Sequence, residues 1–356
     1  MRTMFFSLAG ALVIGATSLL GSTNDAAACA GLIGSNGNVN LGRTTTLAAY
    51  HNGEEHYVTS FEFQGAGGGE FGTLIPLPGI PSNVERGGDW TLQRLVRETE
   101  PRLLFAADAV SAAAPKAAGG AEVLLEKRID ALDLTVLRGG GPSVAQWAEE
   151  HGFRLSPDAP EVLDFYAERS PIFLAAVFDG DAAKARGQGA GDGTPVHLTI
   201  PTDNPWVPLR ILGLGKQPTD TVQADVYLLT DQKPRILPGL RNGLTREYSA
   251  AASDLLLSDL RSDKGMSWVP EAAWLTKVGV NASVKDLQYD LAVDADGKDA
   301  PSRVAAGFET PALPASSLAE SDSPGRGLLL VLLIPGVLLA GFILALRWQA
   351  RRGLRQ

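Results

Sequence analysis

Residues 327–346 read GLLLVLLIPGVLLAGFILAL, a run without a single charge. As a helix, at ~1.5 Å per residue, it spans a hydrocarbon core of ~30 Å with its backbone groups satisfied internally. Arg347, Arg351, Arg352 and Arg355 follow with no acidic residue among them, and Trp348 stands where an interfacial aromatic belongs. Excess arginine marks the cytoplasmic side, so the chain before this run is expected outside the cell. Pro335-Gly336 reads either as a kink taken up by the backbone and neighbouring helices or as a break tolerated in lipid.

The other end points to the same topology. Arg2 precedes an apolar run through Phe5, Leu8, Leu12, Val13, Ile14, Leu19 and Leu20, then polar residues 21–25, then Ala26-Ala27-Ala28. A charged start, a short apolar core and small residues at A-x-A spacing read as a secretory signal peptide, cut after Ala28 or Ala30. A second membrane helix is the competing reading, which the short run and small-residue exit disfavour. The expected organisation is a signal peptide over 1–28, an extracytoplasmic domain over 29–309, a stalk over 310–326 rich in Pro, Ser and Ala, a transmembrane helix over 327–346 and a basic cytoplasmic tail over 347–356. The outer domain is long enough for one large core or two modest subdomains.

Cys29 is the only cysteine, which excludes an intramolecular disulfide and a thiolate metal cluster. A lipidated Cys29 is an alternative, but polar residues separate it from the apolar core that a lipobox normally abuts. The chain carries 31 basic and 40 acidic residues, a net charge of −9. Five of the arginines lie in the leader and tail, so the outer domain is more acidic still. Such a surface repels phosphate backbones and is expected to exclude nucleic acid as a partner.

Within the outer domain the clearest local structure is 44–63, two β-rich runs around Asn52-Gly53. Asn-Gly is the strongest short hairpin signal, because a type I′ turn needs positive φ twice. Residues 73–77 read as a strand, and Asp89 as the cap of a helix carrying Leu92, Leu95 and Val96. Residues 106–120 are Ala-rich and read as a loop or insert, and 122–137 as two strands. Ser143 with Gln146 reads as a capping box for a helix over 144–151 stopped by Gly152. Asp158 with Glu161 reads as the cap of a second helix with Val162, Leu163 and Tyr166 on one face. Strands are expected at 172–178, 196–200, 208–212 and 223–229, with a Gly/Asp/Ala-rich mobile loop over 179–194. Beyond Arg241 the pattern weakens to a helix at 254–260 and a last strand at 288–293. The expected fold is α+β, a mainly antiparallel sheet with an inserted helical hairpin.

One constellation carries chemistry. If Asn52-Gly53 are the turn residues, His51 pairs with Glu54 and Ala49 with His56, so His51, Glu54 and His56 point the same way. Two imidazoles and a carboxylate on one hairpin are ligands for zinc or a similar divalent metal; a polar hairpin tip in water is the plainer reading. His151 and His197 show no ligand spacing and read as helix-end and strand-surface residues. Asp294, Asp296, Gly297 and Asp299 start like a calcium loop but lack its length and closing Glu, and read as a solvated turn. Neither a nucleophile elbow, a phosphate-binding loop nor a zinc-protease helix motif occurs.

The blocks ACAGLIG, YHNGEEHYVTSFEF, LIPLPGIPSNVERGGDW, EVLLEKRID with LTVLRGG, WAEEHGFRLSPDAPEVLDFYAERS and IPTDNPWVPLRI together resemble the bacterial family known as domain of unknown function 2330. The resemblance runs from about Cys29 to Asp231. It implies an exported protein, often with a C-terminal membrane helix, and supplies no activity or functional residue. The family pattern of Cys-Gly-Gly with further cysteines is departed from, since Cys29-Ala30-Gly31 stands alone here. The function expected is a membrane-anchored binding or envelope-interaction module with a protein or other envelope partner. The alternative is an extracytoplasmic, metal-dependent enzyme centred on the first hairpin.

Overall fold

In the computed structural model of the protein the described residues are 31–34, 44–62, 71–100, 121–187, 193–241 and 243–311. The expected signal peptide, Cys29, the Ala-rich 106–120, most of the expected stalk and the apolar 327–346 run lie outside them. Among the described residues no helix is long and apolar enough to cross a membrane.

The first strands are β1 (Gly31–Gly34), β2 (Thr44–His51), β3 (Glu54–Glu62), β4 (Phe71–Pro76) and β5 (Asn83–Arg86), followed by helix α1 (Thr91–Thr99). Strands β6 (Glu122–Ile129) and β7 (Leu132–Arg138) precede the helical hairpin α2 (Gly141–Glu150) and α3 (Ala159–Ala167). Then come β8 (Ile172–Phe178), α4 (Gly180–Ala185), β9 (Gly193–Pro201), β10 (Trp206–Val207), β11 (Thr221–Thr230) and β12 (Arg235–Leu237). The last elements are β13 (Leu244–Ala251), α5 (Asp254–Ser262), β14 (Trp274–Ser283) and β15 (Leu291–Asp294).

These strands form a seven-stranded sheet in the order β13-β14-β11-β2-β3-β9-β5, a five-stranded sheet β1-β4-β8-β7-β6 and a small sheet β10-β15-β12. Pairing is antiparallel except between β2 and β11. The fold is α+β with antiparallel sheet dominant, and the helical hairpin is inserted between β7 and β8.

Strand alternation sorts the core into layers. Ala48, Tyr57, Leu198, Val226 and Val280 from the large sheet meet Ile75, Leu134, Leu174 and Phe178 from the five-stranded sheet. The outer face of the five-stranded sheet, with Leu74, Leu137 and Phe173, packs on Val144, Trp147, Leu163 and Tyr166 of the helical hairpin. The outer face of the large sheet, with Leu47, Val58, Tyr227 and Leu275, packs on Leu92 and Leu95 of α1 and Leu256, Leu257 and Leu260 of α5. Two sheets face each other, and helices cover both outer faces.

The first hairpin forms as its sequence demands. Ala49 pairs with His56 and His51 with Glu54, while Asn52 and Gly53 take φ of 53° and 81°. A Cβ on Gly53 would meet no atom within 4 Å, so only backbone strain opposes a side chain there. Gly53→Ala is expected to lower stability by about 1 kcal/mol, read from the midpoint and slope of urea unfolding.

Several caps differ from expectation. Asp89 pairs with Arg86 rather than capping α1; that helix start is held by Asp263, whose Oδ2 accepts from Trp90 N at 2.9 Å and Thr91 Oγ1 at 2.8 Å. Helix α2 begins at Gly141, without a side-chain cap, and Gln146 donates to Glu150 instead. Asp158 accepts from Gly215 N, and Glu161 pairs with Arg210. Gly152 does end the hairpin's first helix, at φ 77°. The strand expected at 208–212 does not form: β10 ends at Val207, and a 3₁₀ turn, Arg210–Gly213, follows. Pro208 has no N–H to give a ladder, and the N–H groups of Leu209 and Arg210 go to Asp290. Part of the expected 179–194 loop is α4, where Asp179 Oδ1 accepts from Ala182 N.

Candidate functional site

The three residues singled out in the first hairpin share a sheet face, but their partners differ. His51 Nδ1 lies 2.5 Å from Asp231 Oδ1 near the surface, with both side chains about a third or more exposed. His56 turns the other way along the sheet, towards β9. The register sets Val58 opposite His197, His56 opposite Thr199, and His197 opposite Glu85. His56 and His197 are thus diagonal neighbours on one face, within reach of each other. His56 Nδ1 lies 3.0 Å from His197 Nε2, and His197 Nδ1 lies 3.2 Å from Glu85 Oε1. Glu54, on the partly buried start of β3, belongs to neither contact. Among the described residues no group of three or more His, Cys, Asp or Glu is placed to hold a metal ion.

His197 is therefore not a surface residue; its side chain is 2% exposed. Trp268, from the segment after α5, lies over the pair. Its ring is stacked 4.0 Å from His56 at an interplanar angle of 3°, and 5.1 Å from His197. Gly87 makes room beneath, since a Cβ there would come within 2.9 Å of His197 Cβ.

Donor logic orders the chain of groups. A carboxylate only accepts, so Glu85 fixes the proton of His197 on Nδ1 and leaves Nε2 to accept from His56 Nδ1–H. Burial first, then repulsion from His197 and His51, push the His56 imidazole down to about 4. Burial lowers His197 too, against the pull of Glu85. At neutral pH the pair is uncharged. A general base works best with a pKa near the working pH, so His56 is a weak base although the order carboxylate–imidazole–imidazole resembles a proton relay.

On the opposite face of β3, Glu55 points into the space between the large sheet and β10 and β15. It is 1% exposed. Its Oε2 accepts from Trp206 N at 3.3 Å, and its Oε1 is buried without a hydrogen-bond partner. Burial, only partly offset by the Trp206 N–H, pushes its carboxyl up to about 8. Beside it lies a small recess with clear space for about one water molecule, lined by Ala48, Tyr50, Trp206, Val207, Leu228 and Val293 among others. Sequence reading passed over Glu55, because alternation assigns it the inner face and nothing local marks an unpaired carboxyl.

Another buried acid is fully committed. Asp290, at 0% exposure, accepts from Tyr166 Oη at 2.8 Å, Leu209 N at 2.7 Å, Arg210 N at 3.1 Å and Arg169 Nη2 at 2.6 Å. Arg169 also donates to the carbonyls of Phe165 and Ala305. This network joins α3, the 3₁₀ turn and the segment at Ala305.

The profile of the bacterial family described as "Uncharacterized protein conserved in bacteria (DUF2330)" matches residues 23–286. No curated protein matches the chain. Among solved structures, a mutated baculovirus P35 after caspase cleavage is similar at 7% identity and a TM-score of 0.36, over 72% of this chain and 99% of that one.

Proposed function

Since the chain belongs to the family DUF2330 of uncharacterised bacterial proteins, we propose that it is a non-catalytic recognition module of the bacterial envelope, exported and tethered by residues 327–346. The leader, the charge-free run and the arginines after it support the placement. The observation that carries the non-catalytic reading is the commitment of the buried imidazoles. Both nitrogens of His197 are taken, by Glu85 and His56, and His56 lies under Trp268 with too little basicity to take a proton at neutral pH. Groups locked to one another serve a rigid sheet edge, and a rigid scaffold under variable loops suits binding.

The order Glu85–His197–His56 favours a second reading, an extracytoplasmic enzyme using His56 at the end of a relay; a divalent metal at His51, Glu54 and His56 would be its metal-dependent form. Photocrosslinking on intact cells, followed by isolation of the full chain, separates the two. We expect one defined envelope component joined to the wild type and equally to His56→Gln. A hydrolytic or transfer activity in the purified full chain, lost in a folded His56→Gln variant, would replace recognition with catalysis.

A further inference from the structure

The recess beside Glu55 is built unlike the rest of the core. Its walls are mostly apolar, with Ala48, Val207, Leu228 and Val293, and aromatic surface comes from Tyr50 and Trp206. Its hydroxyls are spent: Tyr50 Oη donates to the Thr202 carbonyl at 2.9 Å and Thr230 Oγ1 to the Gln232 carbonyl at 2.7 Å. Glu55 Oε1 is left as the unpaired polar atom on its wall. A buried oxygen without a partner is costly, and the clear space beside it is about that of one water molecule.

The surrounding charge is negative. Asp203, Glu55, Asp296 and Asp231 all act on Tyr50, raising its hydroxyl after burial has done so. The charged or titratable groups on the elements around the recess include Tyr50 and His51 on β2, Glu54, Glu55, His56 and Tyr57 on β3, Asp203 after β9, Asp225 and Tyr227 on β11, Asp231 and Lys233 after it, Arg235 on β12, and Asp294, Asp296, Lys298 and Asp299 at and after β15. Asp231 is partly matched by His51 and Asp296 by Lys298. A cation is favoured over an anion or a neutral group.

We propose that this recess binds the head of a primary ammonium group, with the carboxylate of Glu55 as its ion partner. A metal cation of the calcium or magnesium type needs six or more oxygens, which these walls do not offer. An ammonium head is close to water in size, carries donors only, and is attracted to the aromatic rings of Tyr50 and Trp206. In the free protein the Glu55 carboxyl holds its proton at neutral pH, so binding displaces that proton to solvent. The inference stands on the recess and not on the membrane tether, so it survives or fails apart from the envelope reading.

The test is calorimetric titration of the full chain in non-ionic detergent with ethylammonium chloride, from pH 6 to 9, in buffers of different ionisation enthalpy. We expect affinity to rise about tenfold from pH 6 to 7 and to level off above pH 8, with nearly one proton released per ligand at pH 7. Tetramethylammonium, too bulky and without donors, should not compete. Glu55→Gln, checked for fold by its near-ultraviolet circular dichroism, should weaken binding at least tenfold, and Asp203→Asn about twofold to threefold by loss of rim charge. If Glu55→Gln does not fold, the proton release and pH profile of the wild type decide alone. No binding of ethylammonium, which leaves an ordered water as the occupant, overturns the proposal. So does binding without proton release, or preferential binding of neutral acetamide.

Discussion

Asp290→Ala is expected to lower folding stability by about 4 kcal/mol, the range found when one partner of a buried ion pair is removed. The side chains of Arg169 and Asp290 are 4% and 0% exposed, so water does not replace the lost carboxylate. The Arg169 guanidinium would keep its bonds to Phe165 and Ala305 carbonyls but lose its counter-charge. Tyr166 Oη would lose its acceptor, and the N–H groups of Leu209 and Arg210 would be orphaned at the start of the 3₁₀ turn. Asp290→Asn keeps one acceptor oxygen for these donors and removes the charge, so it should fall between the wild type and Asp290→Ala. Urea unfolding followed by far-ultraviolet circular dichroism measures both. A loss below about 1 kcal/mol in Asp290→Ala would mean that the network does not hold α3 to the sheets.

What was legible in the sequence is what is decided within a few residues. The Asn52-Gly53 turn sets its own register, and the helical hairpin declares itself through Val162, Leu163, Tyr166 and the stop at Gly152. What was not legible is decided across the fold. The cap of α1 comes from Asp263, which lies beyond α5 in sequence, and the partner of His56 arrives on β9, far along the chain. Strands β13 and β14 were missed because their pattern is broken from within. Lys277 sits among the apolar residues of β14, where its ammonium is matched by Asp225 on β11 and Glu247 on β13. On β13, Thr245, Arg246 and Glu247 are exposed at the end of the sheet order, so their polarity hides a strand. The orphan oxygen of Glu55 has no sequence signature at all.

Glu55→Gln is expected to change the pH dependence of stability strongly between pH 4.5 and 8. The folded protein holds the Glu55 proton up to about 8, while an unfolded chain releases it near 4.5. Between these values the native state binds more protons than the unfolded state, so stability falls as pH rises. The contribution is complete below the lower value and gone above the higher one. Over that window the shift is worth about 4 to 5 kcal/mol. His56 acts in the opposite sense: its folded value is lowered to about 4, so its contribution is present above pH 6.5 and lost as pH falls towards 4. Solvent reaching the edge of the pair discounts that effect to about 2 kcal/mol. Removing the Glu55 titration should therefore leave the acid limb set by His56 and abolish the alkaline decline. We expect Glu55→Gln to gain about 4 kcal/mol on the wild type between pH 4.5 and 8.5, measured by denaturant unfolding at each pH. Parallel profiles for the two proteins would show that Glu55 is ionised in its recess at neutral pH.

The claim that the buried imidazoles are closed to chemistry is tested most directly by nuclear magnetic resonance of the ring nitrogens of His56 and His197 in the full chain. The titration runs from pH 4 to 8, with and without zinc. We expect His56 to stay neutral down to about pH 5 and His197 to take a proton only below the ordinary imidazole range, with the His197 proton fixed on Nδ1, the His56 proton on Nδ1, and no change on adding zinc. Protonation of His56 near pH 6.5, or a stoichiometric zinc-induced shift of its ring nitrogens, would contradict this and make the first hairpin an active centre.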